Sequence, residues 1–594
     1  MENYLNNPIF NHNESVEIAK KFKRKCPKIK EYIERLQLEL NLIIKKNLTK
    51  NILRVCEILE LLENIPHIIR GSSGSSLICY LLGITNIDPI KEKICFARFL
   101  NNYRSKLPDF DIDIPHIKHE YAFRLISKKW GNKVARISNH VNYGQKSAIR
   151  KAIKELGHNK RVDKKDCNLN FYKDEDMKKK LKEKTDEFLG KFKNYSLHCG
   201  GIIFDENGFS KDLLINYNDE NKKVIQQIKY NKDDIDNKSI FKVDILSNRG
   251  LTQLFDISKM QIEDYPDNDI KVIKLLCSGK NIGLTFCESP GMKKILMINQ
   301  PKNIYNLAEC LSLIRPMASE SKSTNIIEEE SNINSSLKFD DDAILYIKSL
   351  LNCDEGLADK YRRAFAKSDW KQINLFMWLI KDNPNKEKIK KKLLNLRKYS
   401  FCKSHAISYA KLVWAIAYNK AYNPKEFWLS TLNNCHTMYR QWVHFREAKI
   451  DSKINLELGY YPWIIKNNTL YPLNNKIEKE ILTKKEQLIK YGYWKEDEFY
   501  DNCSIQILNK DTCEVKFTGL IACARWCRKW INNKYKFYTY ITIGYKNGYY
   551  MDLKINDKWA STKGKIIVEG FGKFIEVDKI CKYGYIEVEK INFI

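Results

Sequence analysis

Three acids set the first question. Asp109, Asp111 and Asp113 alternate with Phe110, Ile112 and Ile114 in a run that begins at Pro108. In a strand, side chains two residues apart share a face, so this spacing sets the carboxylates side by side and turns the apolar side chains inward. Like charges so placed repel each other, and a divalent cation is the simplest group that makes the arrangement favourable. The competing reading is an exposed strand with solvated acids. A second strand-like run, Phe241-Lys242-Val243-Asp244-Ile245-Leu246, sets one acid among apolar neighbours. A buried carboxylate is costly unless it is paired or binds metal, so Asp244 is a candidate third ligand, with a strand-edge acid as the alternative. Ahead of both, Gly71-Ser72-Ser73-Gly74-Ser75-Ser76 opens an apolar segment from Leu77 to Leu82. Glycines let backbone N–H groups converge and serines add hydroxyls, a combination able to cradle phosphate at a helix N-terminus. No Gly-Lys-Ser/Thr follows, so this is not a Walker loop; a plain flexible turn is the other reading.

The rest of the chain must position these residues. At 594 residues it has room for about four domains. The 103 Lys+Arg against 73 Asp+Glu leave a charge of +30, which makes a polyanion, above all nucleic acid, the first partner to test. A lysine-rich composition bias is the bland alternative. With 43% hydrophobic residues, wholesale disorder is excluded. The start at Met1-Glu2-Asn3-Tyr4-Leu5 lacks a signal-peptide pattern, and no apolar run reaches the roughly 18 residues of a bilayer span. The expectation is a cytoplasmic protein without membrane contact, its 17 cysteines reduced. Cys523 and Cys527 have no second Cys/His pair at zinc-finger spacing. Helical periodicity runs over 14–64, a lysine-rich helical stretch over 146–193, and mostly helices over 251–450, broken by an acidic loop at 319–342. The last eighty or so residues switch to strand pairs, with a hairpin signal at Asn547-Gly548.

A Gly-Ser turn, an Asp-x-Asp strand and a distant third Asp are the parts, in order, of a polymerase-β-like nucleotidyltransferase palm. The match goes further. Arg70–Leu77 with Tyr80-Leu81-Leu82-Gly83-Ile84-Thr85 and Asp88-Pro89, and Arg98-Phe99-Leu100-Asn101 leading into Pro108–Asp113, resemble the palm of the bacterial C-family replicative polymerases, the DNA polymerase III alpha subunits. The same order continues through Lys146 and Arg150, His198-Cys199-Gly200-Gly201, Lys242-Val243-Asp244 with Arg249, and Glu288-Ser289-Pro290-Gly291-Met292. Arg315-Pro316, Asp359 with Arg362-Arg363-Ala364, and Lys403-Ser404-His405-Ala406 with Tyr409 complete it, over about residues 66–450.

The resemblance implies an α+β, multidomain polymerase. Its regions would be an N-terminal helical part (1–64), a palm in two parts (65–140 and 194–250), a helical thumb (141–193), helical fingers (251–450), a linker or truncated clamp-binding-like region (451–512) and an OB-fold-like β-barrel (513–594). The family's PHP domain and the Tyr-Gln-Glu segment of its fingers have no counterpart, and Met317-Ala318 stands where Gly-Pro is usual. The implied activity is template-directed addition of deoxynucleotides to a primer 3′-hydroxyl with two Mg²⁺ ions on Asp109, Asp111 and Asp244; Asp113 is the weaker ligand candidate, since the third acid of the family's motif is often structural. Gly71, Ser72, Gly74 and Ser75 would bind dNTP phosphates, with Arg98, Lys146, Arg315, Arg362, Arg363, Lys403 and His405 as cations. Arg150, Lys178 and Lys179 would grip the primer-template duplex, and Arg525, Trp526 and Arg528 single-stranded template, with strand core and crossing loops as the equal alternative for the aromatics there. A sliding clamp and a separate proofreading exonuclease are the implied partners; Gln372-Ile373-Asn374-Leu375-Phe376 has the look of a clamp contact, but it lies in a helical stretch where Leu375 and Phe376 read rather as core. A non-templated nucleotidyltransferase of the same palm and a catalytically silent DNA-binding protein are the alternatives.

Overall fold

The computed structural model describes residues 13–104, 106–157, 174–215, 225–313, 338–394, 401–434, 438–473, 482–495, 503–531, 534–545, 549–556, 562–578 and 583–594. Strands β1 (Ile68–Arg70), β2 (Phe110–Pro115), β3 (Val134–Asn142), β4 (Phe192–Phe204), β5 (Leu214–Ile215), β6 (Gln227–Ile228) and β7 (Lys242–Asn248) form one mixed sheet. Their order is β1-β2-β7-β4-β3-β6-β5. The two strands read as acidic are direct neighbours: β2 and β7 run parallel, with Asp111 opposite Asp244. β1 pairs antiparallel with the other edge of β2, with Arg70 opposite Asp111.

The alternation along β2 fixes this register. Phe110, Ile112 and Ile114 are fully buried, and a one-residue slip would turn all three outward. They share a core with Val243, Ile245 and the apolar stripes of two N-terminal helices, Lys30–Lys45 and Thr49–Leu61. The N-terminal helices are therefore one side of the sheet's own core. Beyond β3, the helices Gln145–Glu155 and Glu175–Phe188 close on each other through Ile149, Ala152, Ile153 and Leu181.

From Arg249 to Ser452 the described chain is helical. Its centre is the helix Lys403–Tyr422, which buries residues around its whole circumference, the pattern of a core helix. It packs on both β1 and the Gly-Ser turn. The acidic run Asp340-Asp341-Asp342, read as the end of a loop, instead starts the helix Asp340–Leu351, and Asp340 and Asp341 are buried there. The candidate clamp contact is also helical: within Trp370–Leu379, Ile373 and Phe376 are core residues while Leu375 faces out. An extended peptide is thus not on offer at that position.

Residues 451–512 include a short sheet and a helix, Lys484–Tyr491. β8 (Asn455–Leu456), β9 (Trp463–Lys466) and β10 (Thr469–Pro472) make a small sheet. Trp463 and Tyr493 pack on Phe445 of the preceding helix, with the Phe445 and Tyr493 rings stacked at 3.7 Å. The C-terminal strands are β11 (Ser504–Asn509), β12 (Glu514–Ile531), β13 (Lys534–Tyr545), β14 (Tyr549–Ile555), β15 (Ile567–Asp578) and β16 (Tyr583–Phe593). They pair in the order β11-β12-β13-β14-β16-β15, and β15 pairs back onto β12. The Asn547-Gly548 turn lies outside the described residues, but its flanks pair antiparallel, with Tyr545 opposite Tyr549.

The expectation of a mixed α+β chain holds. Among the described residues no helix is long and apolar enough to cross a membrane, and none of the thirteen cysteines whose side chains are described is in a disulfide.

Candidate active site

Asp111 and Asp244 face each other across β2 and β7, and Asp109 stands exposed just ahead of β2. Burial, then the neighbouring Asp244 and Asp109, push the Asp111 carboxyl up to about 7. Asp244 is 8% exposed. Its Oδ2 accepts from Lys242 Nζ at 2.5 Å, and its Oδ1 is buried with no hydrogen-bond partner. The nearest ring nitrogen, His198 Nδ1, lies 4.0 Å from that oxygen but already accepts the Gly201 N–H at 2.8 Å, so it has no proton to give. Two crowded carboxylates and an orphaned buried acceptor are what a divalent cation would satisfy. Among the described residues no three His, Cys, Asp or Glu side chains already stand as a joint ligand set.

The raised Asp111 value has a consequence for stability. A carboxyl held above its ordinary value binds its proton more tightly in the folded chain than in the unfolded one. Its ionisation therefore costs stability above about pH 7, and the cost is relieved as pH falls from there toward 4. In chelator, the parent should gain stability over that window relative to Asp111→Asn. Denaturant unfolding at pH 8 and pH 5 checks this; parallel pH profiles would contradict it.

Asp113 belongs to a different environment on the same strand. It is fully buried and accepts from Arg70 Nε at 2.8 Å, Arg70 Nη2 at 2.9 Å, Asn248 Nδ2 at 2.8 Å and Tyr409 Oη at 2.6 Å. With those bonds it ties β1, β2, β7 and the Lys403–Tyr422 helix together and has no capacity left for a metal.

The Gly-Ser turn sits over the acids. Gly71 has φ +82°, a conformation that favours glycine, and a Cβ there would lie 3.6 Å from Asp111 Oδ2. Its N–H donates to His405 Nδ1 at 3.1 Å, and its carbonyl accepts from Ser404 Oγ at 2.8 Å. Burial and the nearby Arg70 charge bring His405 down to about 4, so it is a neutral acceptor and not one of the expected cations. Gly74 and Ser75 are both buried, and Ser75 Oγ lies 3.4 Å from Ser404 Oγ. Gly71 and Ser72 are the half-exposed members of the turn.

The back of the turn is held by residues the sequence reading missed. Glu39 is fully buried and accepts from Ser76 Oγ at 2.6 Å, Leu77 N at 2.9 Å, Ile78 N at 3.1 Å and Arg35 Nε at 2.7 Å. Arg35 also donates to the Ser75 carbonyl at 2.8 Å. The available signal was a glutamate on the helix stripe that carries the buried Leu36, Leu40 and Ile43. Glu39→Ala leaves a half-buried arginine, a buried hydroxyl and two amides without their acceptor. We expect a loss of about 3–5 kcal/mol in unfolding free energy, read by denaturant titration; a change under 1 kcal/mol would remove Glu39 from this role.

The expected cations divide. Arg98 and Arg362 are anchored on Asp340 (2.7 and 3.3 Å), and Arg362 and Arg363 share Asp359 (2.8 and 2.7 Å). Lys403 is buried, its Nζ donating to the Lys93 carbonyl at 3.3 Å. Arg363 lines an open cleft of about 290 Å³ with Arg104, Lys360 and Lys367. Arg363 Nη2 and Arg104 Nε are buried there without a hydrogen-bond partner, and burial, then the Arg363 charge, lower Arg104 to about 10. Arg104, four residues beyond the Leu100 of the motif, went unread. Lys146 is exposed on the Gln145–Glu155 helix, with Arg150 one turn on. On the helix packed against it, Lys178 pairs with Glu175 and Lys179 is exposed. Arg525 and Trp526 are neighbours on β12 and so point to opposite faces, Arg525 over the Tyr540 ring and Trp526 toward solvent. Arg315 and the side chain of Arg528 lie outside the described residues.

Two family models of known proteins match the chain that carries the paired acids, the turn above them and the basic cleft. The bacterial DNA polymerase III alpha NTPase domain matches residues 10–247, and the bacterial DNA polymerase III alpha subunit finger domain matches residues 247–382. The chain belongs to this C-family group of the DNA polymerase III alpha type. It is 27% identical over 450 residues to the DNA polymerase III subunit alpha of Ureaplasma parvum, covering 67% of this chain and 46% of that one. The Thermotoga maritima subunit is 27% identical over 427 residues, covering 68% and 47%. That of Staphylococcus epidermidis is 25% identical over 498 residues, covering 73% and 46%. The chain thus spans about half the length of these relatives. The match also begins earlier than the motifs do, taking in the helices that carry Arg35 and Glu39.

Proposed function

We propose that the chain is a template-directed DNA polymerase that adds deoxynucleotides to a primer 3′-hydroxyl, in DNA replication. The observation that carries this is the adjacency of Asp111 and Asp244 on parallel neighbouring strands, under the Gly71 turn. In this reading the seven-stranded sheet is the palm, the 145–188 helices the thumb and the 249–450 helices the fingers. The C-terminal strands fit an OB-fold: β12-β13-β14-β16-β15, returning to β12, with a parallel β14–β16 pair, is the pairing order of such a barrel.

Asp109, Asp111 and Asp244 would hold two Mg²⁺ ions, which sharpen the 3′-hydroxyl as nucleophile and steady the departing pyrophosphate. Around them, this chain's residues orient and neutralise. Lys242 offsets the Asp244 charge before any ligand arrives. Gly71 and Ser72 offer the exposed edge of the turn, and Arg104 and Arg363 have buried N–H groups free for phosphate oxygens. Arg98 and Arg362 act one step back, fixed by Asp340. The thumb lysines grip backbone without reading bases. A sliding clamp and a separate exonuclease are the protein partners this reading carries.

The test is primer extension on four templates that differ in the first unpaired base. Incorporation of the complementary nucleotide alone supports the reading. Equal incorporation of all four, or addition without template, would point to the non-templated transferase.

A further inference from the structure

The helix Trp370–Leu379 has two different faces. Ile373 and Phe376 enter the core beneath it, and Gln372 lines the arginine cleft. The outer face carries Trp370, Leu375 and Trp378, which are 52%, 43% and 62% exposed. The two indoles stand eight positions apart, about 12 Å along the axis, and they lie within a quarter turn of each other. Large apolar rings exposed together on a fold with ample core are a mark of a binding surface.

The charge around them narrows the partner. From Lys367 to Leu394 there are eight lysines and three acids. Among the described residues, none of these lysines is ion-paired with a carboxylate. The helix Lys386–Leu394 buries Ile389 and Leu393 in the same core as Ile373 and Phe376, and turns Lys386, Lys388, Lys391 and Lys392 to solvent. Lys381 Nζ lies 5.7 Å from the centre of the Trp378 ring. An apolar protein partner would have to strip water from this lysine field. A duplex offers phosphates but hides the faces of its bases. Single-stranded nucleic acid presents both, flat bases for the indoles and phosphates for the lysines.

We infer that the Trp370–Trp378 face is a binding site for single-stranded nucleic acid, distinct from the β12–β13 strands that carry Trp526. Bases stack on the two indoles, and Lys371, Lys381 and the 386–392 lysines take the backbone. The site needs no metal or nucleotide, so it goes beyond the polymerase reading and can be tested apart from it.

The experiment is a fluorescence-anisotropy titration of labelled oligo-dT with the full chain in chelator, on the parent and on a Trp526→Ala background. Trp370→Ala/Trp378→Ala should weaken binding by about tenfold or more, whereas Trp370→Phe/Trp378→Phe, which keeps flat rings, should stay near the parent. Affinity for duplex of equal length should change little. Bromodeoxyuridine cross-links should map to this helix in the parent. Oligo-dT binding by the alanine pair equal to the parent's on both backgrounds would overturn the inference and leave the face to a protein partner. So would equal loss in the alanine and phenylalanine pairs, which would mean a general change of fold.

Discussion

Asp111→Asn and Asp244→Asn each reduce templated incorporation by at least about 10³-fold, the loss of several kcal/mol of charge stabilisation at the reacting phosphate. The fold should survive Asp111→Asn, whereas Asp244→Asn also takes the carboxylate from the buried Lys242 and should cost stability. Asparagine has nearly the same shape, and Asp111→Asn removes a repulsion between neighbouring carboxylates that burial makes costly. For Asp111, loss of activity with unchanged or increased stability separates a ligand from a structural acid. Single-turnover primer extension beside thermal unfolding reads both quantities. The pair of asparagine variants should lose no more than either one alone if the two carboxylates act on one centre. Retention of a tenth or more of parent activity by either variant would exclude that residue as a ligand.

Arg70→Ala has the opposite signature, a large loss of stability. It strips the bidentate partner from Asp113, which is fully buried and keeps only the Asn248 and Tyr409 donors. Breaking a buried pair by removing one member costs about 3–5 kcal/mol, because the remaining charge has nowhere to go. Replacing both members, as Arg70→Met with Asp113→Leu, should recover part of that loss. Arg70 also lowers the charge burden on Asp111, so its removal should weaken catalysis as well. Chemical denaturation of the single and double variants settles the matter: a loss under 1 kcal/mol for Arg70→Ala would show that Asp113 is not held as described.

The acids of β2 and β7 were legible because a two-residue period names a face, and a face with like charges needs an explanation. Their adjacency was not, since nothing in a local pattern says which strands become neighbours across more than a hundred residues. Asp244 illustrates the difference. It read as a lone acid among apolar residues, yet Lys242, on the same face of the same strand, is its partner. The Gly-Ser turn read correctly as a turn before a helix, but which of its hydroxyls face outward is decided by Ser404 and Glu39, which approach from distant helices. Charge type misled at His405, where burial beside Arg70 overrides the expectation of a cation. It misled again at Asp340 and Asp341, whose acidity suggested a solvated loop and whose role is to anchor arginines and a backbone amide inside the protein. At Gln372–Phe376 the helical context read from the sequence places Phe376 in the core, but which side of the helix Leu375 takes is decided by packing, and it faces out.

The most direct test of the central claim is the anomalous scattering of manganese in crystals soaked with Mn²⁺ and a non-hydrolysable nucleotide. The account predicts density within bonding distance of the Asp111 and Asp244 carboxylates, extending toward Asp109. Manganese bound elsewhere, with Lys242 still bridging Asp244 and no metal between β2 and β7, would contradict it.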